Sequence, residues 1–221
     1  MIAEENEPRD ANSSQNIVAL YREAFLAKCH HLILMGYSKM NASAFRVAEE
    51  TAITGELVKE IAAILESDEA PEWADRFDVH DDPPQNAPGR QGKRRRRVDI
   101  AFLFVQRGVR PRLLFEAKRL HDSGCVAAYL GADGLGMYVS GEYAPHDPGA
   151  GMLGYVQSGT IKEWSAKLGE AMDRNRRKYR MTTDGDLCSN PLVVGIETSR
   201  SRHERAKGTP IAVYHSFLLF Q

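Results

Sequence analysis

The chain has 221 residues, 43% of them hydrophobic, so it can bury one substantial core and reads most simply as a single domain with extensions. A formal net charge of −1 hides an uneven layout, with acids dominating the early part and basic runs at 93–97, 174–180 and 200–207. Cys29, Cys125 and Cys188 match no zinc spacing, the apolar run 32–35 is too short for a bilayer, and the acidic start is unlike a secretory signal. These features point away from secreted and membrane-spanning classes and toward a soluble, cytoplasmic protein.

Residues 1–12 are polar and acidic and read as a disordered tail. Ser13 or Ser14 is placed to cap a helix carrying Ile17, Leu20, Tyr21, Ala24 and Phe25 at helical spacing, ending near Gly36. This gives an N-terminal helical extension over 13–40, ahead of an α/β domain over 41–221. His30 and His31 point about 100° apart on a helix, which makes them poor joint ligands. A second helix, capped at Asn41 or Ser43, carries the apolar stripe Ile53, Leu57, Ile61 and Ile64. Glu50 projects near the middle of that stripe, provided Gly55 does not break the helix. The other reading of Glu50 is a first-turn acid that suits the helix dipole.

Between 67 and 93 the chain is acidic and rich in proline and glycine, with a short strand at 77–80 and a loop over 81–92. Two strands follow, around Val98 to Val105 and from Leu113 onward, joined by Gln106, Arg107, Gly108 and Val109. If the hairpin is centred between Arg107 and Gly108, Asp99 falls opposite Glu116, and Lys118 projects from the same face as Glu116. Two carboxylates and an ammonium at the rim of an apolar hairpin are costly unless compensated, and a divalent metal is an obvious counter-charge. The alternative is a surface salt bridge of little value to stability.

The glycine-rich stretch 124–154 reads as an ordered excursion. Helical periodicity then runs from about Met152 to Tyr179, a buried strand over 192–196, a charged loop over 198–208 and a final strand over 211–220. The expected architecture is a three-layer α/β/α core with a mixed central sheet.

Asp99, sixteen intervening residues, then Glu116-Ala117-Lys118, preceded by a helix with an inward acid, resembles the PD-(D/E)xK nuclease superfamily. The resemblance covers roughly residues 50–196 and departs from the family name at Val98, where the name has proline. It implies a restriction-endonuclease-like fold and a metal-dependent phosphodiesterase, with a bacterial restriction or anti-phage system as the expected setting. On that reading Asp99, Glu116 and the Ala117 carbonyl hold Mg²⁺, for which Mn²⁺ can substitute, Lys118 acts on the attacking water, and Glu50 assists. Arg94, Arg95, Arg96 and Arg97 lie beside the site to meet phosphates, and Gln157 looks like a polar helix residue bordering it. The expected partner is nucleic acid, DNA ahead of RNA, with the chain as a homodimer or a subunit of a larger complex. A non-catalytic nucleic-acid or protein-binding module and a small-molecule phosphodiesterase are the competing readings.

Overall fold

A computed structural model describes residues 11–85, 96–105 and 110–221, with side chains from residue 20 onward. A seven-stranded mixed sheet runs through its centre. Its strands are β1 (Phe77–Asp81), β2 (Ile100–Phe104), β3 (Arg112–Leu120), β4 (Gly149–Val156), β5 (Cys188–Ser189), β6 (Glu197–His203) and β7 (Ile211–Leu219). They lie in the order β1-β2-β3-β4-β7-β6-β5. Pairing is antiparallel from β1 to β3, parallel from β3 through β4 to β7, and antiparallel again to β6 and β5.

Alternation of side chains along the strands divides the core into two layers. Phe102, Phe115, Leu153, Tyr155, Leu218 and Phe220 face α1 (Ala11–Lys39) and α2 (Glu50–Leu65). Ala101, Leu114, Met152, Val156, Val213 and Phe217 face α3 (Cys125–Leu130), α4 (Leu135–Val139) and α5 (Ile161–Arg174). The expected α/β class and mixed sheet are therefore present. Among the described residues, no helix is long and apolar enough to cross a membrane.

Several expectations need correction. From Leu26 onward α1 is no appendage: Leu26, Cys29, His30, Leu32 and Ile33 are buried against the sheet. The second helix begins at Glu50, not near Asn41, which instead precedes a short 3₁₀ turn over Ala42–Phe45. Met152 to Val156 is strand, not helix. β4 is covered on both faces and so shows no alternation, and a Cβ at Gly154 would lie 2.7 Å from Leu120 and from Phe217, so the glycine permits close packing. Finally, 192–196 is irregular, and the strand lies in the charged stretch Glu197–His203. The first helix also starts earlier than expected, at Ala11, so residues 11–12 belong to α1 rather than to the tail, and Ser13 and Ser14 lie within the helix instead of preceding it. Residues 1–10, Arg94, Arg95 and the turn 106–109 lie outside the described residues.

Candidate active site

The site sits where β3 exchanges one neighbour for another. β2 pairs with β3 only from Arg112 to Phe115, whereas β4 pairs with it from Phe115 to Leu120. The hairpin register holds as expected: Ile100 faces Phe115, and one step further Asp99 falls opposite Glu116. Beyond Phe115, amides on the β2 side of β3 need acceptors that no strand supplies. Carboxylates fill the gap. Asp99 Oδ2 accepts from the Ala117 N–H at 2.6 Å, and Glu50 Oε2 accepts from the Arg119 N–H at 3.3 Å.

Lys118 closes the cluster. Its Nζ donates to Glu50 Oε1 and Glu116 Oε1, both at 2.9 Å, and to the Ala117 carbonyl at 2.6 Å. Glu50 occupies the first turn of α2 and also reaches the site, so the two readings of it are compatible. The helix starts there because Glu49 is still extended, and Gly55 does not interrupt it.

Three carboxylates meet one ammonium in a largely buried notch. Burial, then the neighbouring Asp99, push the Glu116 carboxyl up to about 8. Burial likewise raises Asp99, against the Ala117 amide and Lys118. Burial works against the Lys118 ammonium, but Glu116 and Glu50 outweigh it and hold it charged. Glu116 Oε2 is buried with no hydrogen-bond partner. An acceptor without a donor, in a cluster with more acids than bases, is suited to a cation. Asp99, Glu116, Glu50 and the Ala117 carbonyl offer oxygen only, the donor set that suits Mg²⁺ or Mn²⁺.

The entry of α2 is pinned by residues that the sequence did not single out for this role. Gln157 lies just past β4, not on a helix, and is buried; its Nε2 donates to the Phe45 and Ala48 carbonyls at 2.9 Å. Arg119 reaches the Ala48 carbonyl at 3.3 Å and Glu49 at 2.8 Å. Thr54 Oγ1 and the Tyr155 hydroxyl lie 2.9 Å apart. Together they set the position of Glu50. From the other face, Tyr138 donates to the Leu114 carbonyl at 3.0 Å and Tyr143 donates to the Arg97 carbonyl, bracing the two strands that bear Asp99 and Glu116.

Of the arginine run, Arg96 is ion-paired with Asp133 and Glu142, and Arg97 with Asp82. In the later basic runs, Arg176 meets Asp173 and Asp186, Arg202 meets Asp184, and Arg205 donates to the Pro145 and Asp147 carbonyls. His30 is buried, with Nδ1 donating to the Leu26 carbonyl, while His31 packs on Trp73. No known family model matches the chain, and comparison with curated proteins and with solved structures likewise finds no match.

Proposed function

We propose that the chain is a Mg²⁺-dependent nuclease that hydrolyses phosphodiester bonds, with Asp99, Glu116 and Lys118 as its catalytic residues and Glu50 assisting. The observation that carries this reading is the meeting of Glu50, Asp99, Glu116 and Lys118 in one notch, with Glu116 Oε2 buried and unpartnered. The sheet with antiparallel β1–β3, an intervening helical segment and parallel β4 is compatible with a restriction-endonuclease-like fold. Asp99, Glu116 and the Ala117 carbonyl would hold the ion, which when bound supplies Lewis-acid stabilisation of the charge that builds on the phosphate.

The chain's own groups do the rest. Asp99 is held by the Ala117 amide, so its remaining oxygen is presented in a fixed direction. Lys118 has three donors and is tethered only by acceptors. With the carboxylates holding a cation, the Lys118 ammonium would be free to donate to the attacking water or to a phosphate oxygen. Gln157 and Arg119 act indirectly, through the placement of Glu50. The proposed partner is nucleic acid, with Arg94, Arg95, Arg96 and Arg97 as candidate phosphate contacts, of which Arg96 and Arg97 would exchange their acidic partners for phosphate.

The deciding experiment incubates wild type and Lys118→Ala with plasmid, linear and single-stranded DNA and with RNA, with and without Mg²⁺. Cleavage that needs Mg²⁺, stops with EDTA and is lost in the variant is expected. Equal cleavage by the variant would overturn the reading.

A further inference from the structure

Three residues beyond Lys118, where β3 turns into α3, a different set of donors converges. His121 Nδ1 lies 3.1 Å from Asp122 Oδ2, and Cys125 Sγ lies 3.6 Å from Asp122 Oδ1. All three donor atoms fall within 4.8 Å of one another. The segment is anchored: Ser158 Oγ donates to the His121 carbonyl at 2.6 Å, the Gly124 amide to Asp122 Oδ1 at 2.7 Å, and the His121 amide to Cys125 Sγ at 3.5 Å. Cys125 is buried, while His121 and Asp122 are open to solvent.

We propose that His121, Asp122 and Cys125 bind a borderline-soft divalent cation, Zn²⁺ or Co²⁺, that clamps the turn between β3 and α3. Imidazole, thiolate and carboxylate together are a set that Zn²⁺ takes and Mg²⁺ does not, which separates this site from the oxygen-only notch. With Zn–S about 2.3 Å and Zn–N about 2.0 Å, ligands of one ion lie up to about 4 Å apart. Small rotations of the exposed His121 and Asp122 therefore suffice. The S–H proton that now joins Cys125 to Asp122 is displaced to solvent when the thiolate binds metal, whereas at His121 the Nδ1 position is vacated by a shift to the tautomer protonated at Nε2, with no net proton lost from the neutral ring. The His121 amide remains as a donor to the thiolate, the kind of outer support that tunes a metal site. Three protein ligands leave one position open to water.

The test titrates Co²⁺ into the metal-free full chain and follows the thiolate-to-cobalt absorption and the visible bands of a tetrahedral ion. One equivalent should saturate both, and Zn²⁺ should displace the Co²⁺. Cys125→Ser should abolish the thiolate band, while Cys188→Ser and Glu116→Gln keep it. His121→Ala, a surface change that does not threaten folding, should weaken binding at least about tenfold. No band, a band surviving in Cys125→Ser, or unchanged affinity in His121→Ala overturns the proposal. A chain that cleaves nucleic acid without showing the band sinks only this site, and one that shows the band but cleaves nothing sinks only the nuclease reading.

Discussion

Two polar clusters share one face of the sheet, on either side of β4, and they are built to opposite rules. In the notch on β3, acids outnumber bases and Glu116 Oε2 is left without a partner. On β6 and β7, by contrast, a neutral chain of hydrogen bonds is complete. His203 Nδ1 lies 2.8 Å from the Tyr179 carbonyl and must donate to it, so its Nε2 accepts from Ser201 Oγ at 2.7 Å. Ser201 has then spent its proton, so His215 Nε2 donates to it at 2.7 Å, and His215 Nδ1 accepts from the Tyr129 hydroxyl at 3.2 Å. Every tautomer is fixed. Buried polarity that satisfies itself stabilises one structure, whereas buried polarity left in excess is available for a ligand.

That contrast can be broken at several points. The largest expected effect is on turnover: Lys118→Ala should slow cleavage by about 10²-fold or more in single-turnover assays. Ser201→Ala orphans both histidines and should cost roughly 1–3 kcal/mol in urea unfolding. Cleavage by the folded variant should not change. A neutral result in the melt would mean that water replaces the hydroxyl and that the network is not self-contained.

Acid should act on the histidine side. Burial lowers His30 and His203 to about 4, and burial followed by the charge of His203 lowers His215 to about 3, all from 6.5. Below 6.5 the unfolded chain binds protons that the folded chain refuses. Stability is thus fully present above 6.5 and falls with pH, by up to about 1.4 kcal/mol per pH unit for each histidine. Glu116, raised to about 8, works in the opposite sense between about 8 and 4.5, so the profile is read in Glu116→Gln; denaturation midpoints flat from pH 7 to 5 in that variant would contradict the burial of these rings.

Mg²⁺ at ten times its dissociation constant should stabilise the wild type by about 1.4 kcal/mol, and Asp99→Asn should remove most of that gain in calorimetry. The smallest effect is the most diagnostic. Without metal, Glu116→Gln should leave stability unchanged or raise it by up to about 1 kcal/mol, because a neutral amide of the same shape replaces a carboxyl whose ionisation the folded chain opposes. A large loss instead would class the notch with the histidine network, as a structural cluster.

Much of the site was legible because hairpin arithmetic is local. A turn fixes register, and register brought Asp99 opposite Glu116 and Lys118 onto the same face. The Glu50 stripe was readable because Ile53, Leu57 and Ile61 have to face the core. What stayed hidden depends on packing between distant segments. β4 carries no alternation because both of its faces are covered, and its glycines read as loop. Gln157 finds Phe45 and Ala48 only through the fold, more than a hundred residues away. Strand β6 reads as a charged loop because Arg200, half-buried beside Tyr214, and Arg202, paired with Asp184, lie on one face while Ser201 and His203 point in on the other. The cysteines matched no zinc spacing because His121 and Asp122, not other cysteines, stand beside Cys125.

The change of neighbour along β3 has a consequence for measurement. Amide protons in a sheet are ordinarily shielded from exchange by the carbonyls of the next strand. At Ala117 and Arg119 the shield is a side-chain carboxylate, from Asp99 and Glu50. Their deuterium uptake should accordingly rise in Asp99→Ala and in Glu50→Ala, which remove the acceptor, while the Leu113 and Phe115 amides stay slow. Two backbone protons thus report on the condition of the notch without any substrate being turned over.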